Sequence, residues 1–594
     1  MSDKETLLGV ERSAAGRRWY SREGDARTGL ALAQRFGLPE IVGRVMAARG
    51  VSLEEADSWL DPTLRDLLPD PSHLKDMGRA AGRIAQAIQA GETIAIFGDY
   101  DVDGATSTSL LQRFFEAAGG RVMTYIPDRM KEGYGPNAPA LLSLKQRGAA
   151  LAITVDCGIT AFEALEEAAE GGLEVVVVDH HVAEPRLPRA AAVVNPNRLD
   201  DDSQHGQMAA VGVAFLLAVA VNRVLREAGW YGERPAPDLR QWLDLVALGT
   251  VCDVVPLTGV NRAFVAQGMK VMAQRGNPGI VALADISRMT EAPEAWHAGF
   301  LLGPRVNAGG RVGEAGLGTA LLTAPDYATA LPLAQQLDAY NTERKDIEAA
   351  CLEAAIAQVE DGAMHDGLVY ASSEGWHPGV IGIVAGRLKE RYNRPACVVA
   401  MENGVGKGSG RSVTGVDLGT AVIAARQEGL LLNGGGHAMA AGFTVAAERQ
   451  DEFRHFLAGR IVAQTGEGGP VAELGLDGVL QPRGATVELA EALHGEPHLH
   501  RQAGVVASPD DPLGAGEAQG LADDLRELAG RAERPGNQER QAQVDVRVAH
   551  RDHVEVVAVG VPHVEGNDPQ PGKVARYVVE QDRQGVLALA RGYP

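Results

Sequence analysis

The sequence predicts an α/β protein with a doubly wound parallel sheet, followed by a second and smaller α/β domain. Short continuous runs of Val, Ile and Ala lie at 93–97, 151–156 and 173–178. Stretches with the Ala, Leu and Glu spacing of helices separate these runs. Such runs are typical of parallel strands that are buried on both faces of a sheet. Their alternation with helices indicates a doubly wound fold.

The 594 residues are too many for one hydrophobic core, so we expect several domains. The second α/β domain contains the glycine-rich stretches VGKGSGRS and NGGGHAMAAG. We predict an N-terminal helical segment over 1–60, the first α/β domain over 61–326, a long connecting helix over 327–360, the second α/β domain over 361–465 and a C-terminal part over 466–594.

The bulk composition restricts the possible partners. The net charge of -22 is unlike that of proteins that bind nucleic acid through a basic domain. Carboxylates that hold metal ions add to that total, yet the occupied site attracts phosphate. No apolar run approaches the ~20 residues that cross a bilayer, so we expect no membrane contact. The four widely spaced cysteines indicate thiols in a reducing, cytoplasmic environment.

Four segments carry metal-ligating side chains at the ends of apolar runs. They are GDYDVDG from Gly98, TVDCG from Thr154, DHH from Asp179 and GTVCDVVP from Gly249. Ligands collect at the carboxyl ends of the strands of a parallel sheet, so three of these segments can converge on one crevice. Carboxylates mixed with imidazoles favour Mn²⁺ or Mg²⁺ over tetrahedral Zn²⁺. A carboxylate such as Asp156 can bridge two cations that together clamp a phosphoryl transfer.

Each segment also has a simpler interpretation. The spacing Asp99-x-Asp101-x-Asp103-Gly matches the start of a calcium-binding loop, but the twelfth position, which needs a bidentate Glu, is Leu110. Single aspartates such as Asp156 are often helix caps or turn residues. The occurrence of all four segments in one chain favours a metal centre.

In their order and spacing, the four segments resemble the motifs of the DHH phosphoesterases. Four further stretches are similar to the RecJ branch of that family: LLGPRVNAGGRVG from Leu301, WHPGVIGIVAGRLKERYNRP from Trp376, GKGSGRS from Gly406 and NGGGHAMAAGFT from Asn433. The resemblance extends from about residue 20 to about residue 465. It implies that the first α/β domain is a DHH domain and that the second is a DHH-associated, substrate-binding domain.

The resemblance also implies a role for individual residues. The implied metal ligands are Asp101, Asp103, Asp156, His180 and Asp253, with Asp156 as the bridge. The implied catalytic residues are His181, close to the scissile phosphate, and Asp99 and Asp179, which act as ligands or orient them. The implied substrate-binding residues are Arg305, Asn307, Arg311, Ser409, Arg411 and His437. Glycines beside the last three allow a ligand to approach the backbone closely.

The function that the resemblance implies is a single-stranded-DNA-specific exonuclease for DNA repair and recombination. It implies 5′-to-3′ hydrolysis to mononucleotides with two divalent ions, Mn²⁺ or Mg²⁺. By the same resemblance, a single-strand-binding protein and a RecQ-type helicase are possible partners, and we expect a monomer. Two other functions stay open. One is a DHH phosphodiesterase for short oligonucleotides or cyclic dinucleotides, which shares the core, and the other is a non-catalytic replication scaffold.

The C-terminal part departs from the family, whose members end in an oligonucleotide-binding (OB) barrel. Beyond Ile461 the chain contains neither Phe nor Ile, and beyond Glu491 its aromatic residues are Tyr577 and Tyr593. A barrel needs more large apolar side chains than this. We therefore expect an atypical tail in place of an intact OB barrel, disrupted or disordered from about residue 491.

A change of reading frame would explain this break in composition. We expect that resequencing of the coding region will reveal an alternative frame, downstream of codon 490, that encodes strands rich in large apolar and aromatic residues. A confirmed gene sequence without such a frame, or a well-folded barrel in this region, would contradict the hypothesis.

Overall fold

The structure is a computed structural model, and its described residues form two compact units. One unit comprises residues 61–470, and the other comprises residues 1–60 with 471–594. The structure describes residues 6–13, 16–22, 24–129, 131–365, 367–466, 469–480 and 489, and four strands between 544 and 590.

The N-terminal segment is mainly helical. Its elements are β1 (Arg18–Ser21), α1 (Ala26–Phe36), α2 (Glu40–Ala48) and α3 (Ala56–Leu60). Helix α1 is capped by Asp25, whose carboxylate accepts hydrogen bonds from the Arg27 and Thr28 backbone N–H groups. Such a cap satisfies donors that the first helical turn leaves unpaired.

The first α/β domain opens with alternating strands and helices. Its elements are α4 (Leu64–Leu67), α5 (Met77–Ala90), β2 (Thr93–Phe97), α6 (Val102–Ala117), β3 (Arg121–Tyr125), α7 (Ala138–Gln146), β4 (Ala149–Val155), α8 (Phe162–Glu170), β5 (Glu174–Val178) and β6 (Ala192–Val194). The strands form one parallel sheet in the order β3-β2-β4-β5-β6. The predicted doubly wound parallel sheet is confirmed.

Helices follow the parallel sheet in the chain, and the last of them connects this domain to the second α/β domain. They are α9 (Ala210–Glu227), α10 (Leu243–Cys252), α11 (Gly259–Ala273), α12 (Pro278–Ile286), α13 (Gly303–Val312), α14 (Leu317–Leu322) and α15 (Tyr327–Gln358). Helix α15 is the predicted long connecting helix. A π-helical turn, His297–Leu302, precedes α13.

Both faces of the parallel sheet are buried, as the continuous apolar runs require. Side chains alternate between faces along a strand. Ile94 and Ile96 of β2 join a core that includes residues of α5, α6 and α9. Ala95 and Phe97 join a second core that includes residues of α7 and α8. Positions 94 to 97 of the run are therefore all apolar.

The second domain contains a mixed sheet with helices. Its elements are β7 (Met364–His365), β8 (Leu368–Glu374), α16 (Ile381–Tyr392), β9 (Ala396–Glu402), β10 (Val405–Arg411), α17 (Leu418–Gln427), β11 (Asn433–His437), β12 (Ala440–Ala446) and α18 (Gln450–Thr465). The strand order is β11-β12-β10-β9-β8-β7, in which β8 and β9 are parallel and the other pairs antiparallel. Gly408 of β10 is required because the Phe443 ring occupies the space of a Cβ atom.

The described residues of the C-terminal part contribute six short strands. They are β13 (Glu473–Leu476), β14 (Val479–Leu480), β15 (Val544–Val548), β16 (Val554–Val559), β17 (Val574–Gln581) and β18 (Leu587–Ala590). Strand β13 pairs with β1, and the others form an antiparallel sheet in the order β14-β18-β17-β16-β15. Most of the tail from about residue 491 lies outside the described residues, so the expected disruption of a barrel stays a prediction.

In the part of the chain that the structure describes, no helix is both long enough and apolar enough to cross a membrane.

Candidate metal centre and phosphate site

Three predicted site segments lie at the carboxyl ends of neighbouring strands. Asp99 follows β2, Asp156 follows β4 and Asp179 follows β5, and these strands are adjacent in the sheet. All three side chains are buried. Parallel strands end at the same edge, which is where α/β proteins bind ligands. The structure therefore brings these segments into one crevice, as the sequence predicted.

The segment after β2 turns sharply into helix α6. The Asp101 carboxylate caps the helix by accepting the Gly104 N–H at 3.0 Å. A Cβ atom at Gly104 would lie 2.6 Å from atoms of Asp99, so only glycine allows this approach. The tight turn brings the carboxylates of Asp99 and Asp101 close enough to share a metal-binding group with Asp156.

Asp103 is fixed by the first turn of α9. Its carboxylate accepts the N–H groups of Ala210 at 2.6 Å and Val211 at 2.9 Å. Burial and the charge of Asp101 nevertheless raise the pKa of Asp103 to about 7. The backbone N–H groups act in the opposite direction but do not fully offset the cost of a buried carboxylate.

His180 is the centre of the carboxylate cluster. Its Nδ1 lies 3.0 Å from the Met208 carbonyl, which can only accept, so Nδ1 carries the proton. The Nε2 lone pair then faces Asp156 Oδ1 at 3.3 Å and Asp103 Oδ2 at 3.9 Å. Asp253, the residue at the end of α10, has Oδ2 3.7 Å from His180 Nδ1. Burial lowers the pKa of His180, which favours the neutral form that binds metals.

His181 forms a pair with Asp179. Its Nδ1 lies 2.7 Å from Asp179 Oδ1, which also accepts the backbone N–H of His181. Burial acts to lower the pKa of His181, but the hydrogen bond and the charge of Asp179 raise it overall. For Asp179, burial acts to raise the pKa, yet the bonds from His181 and Ile159 hold it below its ordinary value. The pair thus keeps a negative Asp179 behind a half-exposed imidazole.

These donors fit a pair of divalent cations. Three overlapping groups have ligand atoms within 4.8 Å of one another: Asp99–Asp101–Asp156, Asp103–His180–Asp253 and Asp156–His180–His181. Burial raises the pKa of Asp99 and Asp156 well above the ordinary value, and the charge of Asp101 raises both further. A cluster of crowded, buried carboxylates is stabilised by positive charge. Its hard oxygen and imidazole donors suit Mn²⁺ or Mg²⁺.

One candidate ligand and the residue that follows another candidate ligand have an unusual backbone. Asp156 has φ of 62° and Val254, directly after Asp253, also has φ of 62°. This left-handed region is unfavourable for residues other than glycine, above all for a β-branched one such as Val. Strain of this kind concentrates at functional sites.

Sequence reasoning missed the residues that hold the two histidines in place. The side-chain amide of Asn195 donates to the His181 carbonyl at 2.9 Å, and its oxygen accepts the Asn197 N–H at 2.7 Å. Asn197 in turn donates to the His180 and Gly206 carbonyls. We call Asn195 and Asn197 the asparagine brace. In the sequence, the asparagine brace could have been recognised from the Asn-Pro-Asn run at 195–197, directly after a short apolar strand.

An arginine cluster lies near the carboxylates. It consists of Arg129, Arg311 and Arg411. The guanidinium of Arg129 lies 5.1 Å above the Tyr100 ring, between Asp99 and Asp101 in sequence. Burial lowers the pKa of Arg411 to about 10, and the charges of Arg311 and Arg129 contribute to this shift. Close arginines repel one another, so this cluster is stabilised by an anion such as phosphate.

Arg129 was not predicted, whereas Arg311 and Arg411 were. Arg129 lies in the loop after β3, and β3 is the neighbour of β2 in the sheet. Tyr134 of the same loop was also missed. Its hydroxyl donates to the Asp156 carbonyl at 3.1 Å and lies 3.4 Å from the His181 ring nitrogens. In the sequence, both residues could have been recognised as candidates because basic and aromatic residues occur together in the loop that follows β3.

The predicted residues of the second domain lie on one face of its sheet. Strand register places His437 beside Ala440 and Ala440 beside Arg411. Ser409, two residues from Arg411 on the same face, accepts a hydrogen bond from the Arg411 guanidinium at 3.1 Å. We call this the phosphate face. Its neighbouring row contains Gly435 and Gly442, above which the space is open.

Arg305 and Asn307 are placed differently from Arg311. Arg305 donates to Asp338 of α15 at 2.8 Å and to the Leu301 carbonyl at 2.7 Å. Asn307 lies half-buried on the same helix. Arg311 lies near the end of α13, where its carbonyl is packed against Gly379 of the second domain. Contact of Arg305 and Asn307 with substrate stays a prediction.

Comparison with known proteins gives two domain matches. Residues 93–250 match the DHH family, N-terminal domain, and residues 365–463 match the DHHA1 domain.

Two curated relatives are similar over most of the chain. One is the single-stranded-DNA-specific exonuclease RecJ of Dickeya dadantii (strain 3937), 41% identical over 430 residues, which are 70% of this chain and 74% of the relative. The other is the protein of the same name from Escherichia coli (strain K12), 38% identical over 472 residues, which are 77% of this chain and 80% of the relative.

Two solved structures are also similar. A crystal structure of exonuclease RecJ bound to manganese is 35% identical, with a TM-score of 0.56, and the match covers 65% of this chain and 94% of that one. RecJ from Thermus thermophilus in complex with Mn²⁺ is 28% identical, with a TM-score of 0.69 and coverage of 98% of this chain and 79% of that one.

We expect Asn195→Ala to weaken Mn²⁺ binding by about tenfold, because residues that orient ligands contribute about 10- to 100-fold to metal affinity. Isothermal titration calorimetry of the purified protein measures this directly. Asn222→Ala is the matched control, since Asn222 is a buried asparagine on α9 outside the brace. Equal Mn²⁺ affinity of Asn195→Ala and the wild type would contradict the role of the brace.

Proposed function

The chain belongs to the RecJ family of the DHH phosphoesterases, and we propose that it is a metal-dependent exonuclease that hydrolyses single-stranded DNA. The observation that carries this proposal is the convergence of buried carboxylates and two histidines with an arginine cluster in one crevice. Carboxylates collect cations, and arginines collect phosphate. A phosphodiester is the substrate that satisfies both.

Each group of residues has a defined task in this proposal. The metal ligands are Asp101, Asp103, Asp156, His180 and Asp253, and Asp99 joins Asp101 and Asp156 in one group of possible ligands. When bound, two Mn²⁺ or Mg²⁺ ions supply charge neutralisation and a lowered pKa of water at the scissile phosphate. Asp156 is the proposed bridge because its carboxylate belongs to two of the three ligand groups.

His181 is the proposed catalytic residue nearest to the phosphate. Its imidazole is half-exposed, and its Nδ1 is held by Asp179. A raised pKa favours the protonated ring, which stabilises negative charge on a phosphate oxygen. Tyr134 contacts the same ring and limits its rotation. Asp179 thus acts by orienting and charging His181 rather than by touching the substrate.

The phosphate face suits a single strand. Ser409, Arg411 and His437 lie beside the open glycines Gly435 and Gly442, so a sugar-phosphate backbone can lie directly on the strands. Adjacent backbone N–H groups and the arginine cluster then contact its phosphates. From the family we propose 5′-to-3′ polarity and release of mononucleotides. Arg305 and Asn307 are proposed to contact the DNA through α13 or to support the metal ligands.

The family supports several further proposals. We propose a role in DNA repair and recombination, a cytoplasmic location, a monomeric enzyme, and a single-strand-binding protein and a RecQ-type helicase as partners. The four cysteines, which are free thiols, agree with a reducing compartment. We also propose the domain boundaries at 60, 326, 360 and 465 and a tail that replaces an intact barrel from about residue 491.

Digestion of 5′-labelled DNA with Mn²⁺ tests the function. We expect rapid release of labelled mononucleotide from single strands, no release from blunt duplex, and loss of activity in EDTA. Asp156→Ala should abolish cleavage because it removes the carboxylate shared by two ligand groups. Substantial activity of this variant would refute the bridging role. Cleavage of dinucleotides but not of long DNA would favour the small-substrate phosphodiesterase, and absence of Mn²⁺ binding would favour the scaffold.

Arg129→Ala and Arg411→Ala test the arginine cluster. We expect each to raise KM for single-stranded DNA by about tenfold, since a charge-assisted hydrogen bond contributes about 1.5–3 kcal/mol. Mn²⁺ affinity should change less than KM. Arg186→Ala is the control, because Arg186 also stacks on an aromatic ring but on Phe162. An unchanged KM in either cluster variant would count against phosphate binding at that residue.

A further inference from the structure

A cavity of about 450 Å³ opens in the second domain beside the phosphate face. It lies between the loop that joins β8 to α16 and the hairpin of β9 and β10. Its lining includes Glu374, Trp376, His377, Met401, Glu402 and Lys407. Pockets for small organic groups have volumes of about 300–1,000 Å³, so this cavity has the size of a ligand site. None of the roles assigned above uses it.

The cavity lies on the same side of the sheet as the phosphate face. Lys407, Ser409 and Arg411 occupy every second position of β10 and therefore point to the same side of the sheet. Successive members of this row are ~7 Å apart, because a strand rises ~3.4 Å per residue. Lys407 lines the cavity, whereas Arg411 belongs to the arginine cluster. When phosphates of a DNA strand are held at Arg411 and Ser409, the adjacent nucleotide of that strand therefore lies within reach of the cavity.

The loop that lines the cavity also contacts the catalytic domain. Gly379 donates its N–H to His377 Nδ1 at 3.0 Å, and the same glycine packs against the Arg311 carbonyl. The cavity wall is thus anchored at the arginine cluster. Because Nδ1 of His377 accepts this bond, the proton of the neutral ring lies on Nε2. Burial lowers the pKa of His377, which favours that neutral form.

The chemistry of the lining suits a base better than a phosphate. Glu374 and Glu402 repel an anion but accept hydrogen bonds from the exocyclic amino groups of bases. Lys407 and the Nε2–H of His377 can donate to base carbonyl and ring nitrogen acceptors. The indole of Trp376 offers a surface for stacking, which is the general way in which single strands are held without sequence preference.

We propose that this cavity binds a nucleobase of the DNA strand whose phosphates lie on the phosphate face, with Trp376 as its stacking partner. The proposal rests on the proposed function and deepens it, since it assigns a base subsite to the second domain. It also explains why the cavity beside the row of Arg411, Ser409 and Lys407 is lined by two carboxylates, which suit a base rather than a further phosphate.

Abasic scanning of the substrate tests the subsite. A set of single-stranded oligonucleotides, each with one abasic position near the 5′ end, is digested by the full-length enzyme with Mn²⁺. We expect one position at which loss of the base raises KM at least about fivefold, the weakest effect of losing a stacked base. In Trp376→Leu, KM for intact DNA should rise by a similar factor, and the abasic position should have no further effect.

Three further variants keep the result interpretable. Trp376→Phe retains a ring and should retain the abasic effect, even though Trp376 also packs on the core of the second domain. Lys407→Met, on an exposed strand position, should reduce the abasic effect without any change in that core. Trp296→Leu is the control, since Trp296 is a partly exposed tryptophan of the first domain, and its abasic effect should equal that of the wild type.

The outcomes separate this proposal from the proposed function. Wild-type enzyme that fails to cleave intact single strands would overturn the proposed function itself. Wild-type enzyme that cleaves them but shows no sensitive abasic position would overturn the base subsite alone. The base subsite would likewise be overturned if the abasic position raised KM in Trp376→Leu by the same factor as in the wild type.

Discussion

The site depends on holding several carboxylates close together and away from water. Two like charges 4 Å apart repel by about 4 kcal/mol at an effective dielectric constant of about 20. The fold offsets part of this repulsion with backbone N–H groups, which Asp103 takes from α9 and Asp101 takes from α6. Burial, together with the remaining repulsion from Asp101, raises the pKa of Asp103 to about 7. Divalent cations, when bound, neutralise the remaining negative charge. The fold already holds the carboxylates in the positions from which they can bind these cations.

The order of the sheet makes this crowding possible. Strands β2, β4 and β5 are neighbours, so the turns that follow them meet without any long connection. Close packing then brings in the helices. A Cβ atom at Gly249 of α10 would overlap Thr106 and approach Asp103, so a glycine there lets α10 lie against α6. Asp253 reaches the cluster from the end of that helix.

Positive charge beside the negative cluster comes from both α/β domains, and open backbone comes from the second domain. The arginine cluster combines a loop after β3, the end of α13 and the end of β10. The phosphate face adds glycines that leave room for a chain of sugars and phosphates. A net charge of -22 is therefore compatible with a DNA substrate, because the attraction is local and is strengthened when cations are bound.

The sequence by itself determined the strands of the first domain and the segments that carry the candidate metal ligands, because buried parallel strands are continuous apolar runs and three of the four segments follow their ends. Tertiary structure decided which of the predicted basic groups lie together, and it added basic and amide groups that the sequence did not indicate. Arg305 and Arg311 share one motif, but six residues correspond to about 240° around a helix with 3.6 residues per turn. Arg305 therefore pairs with Asp338, whereas Arg311 faces the second domain. Arg129 and the asparagine brace come from loops whose positions depend on contacts distant in sequence, which no local pattern specifies.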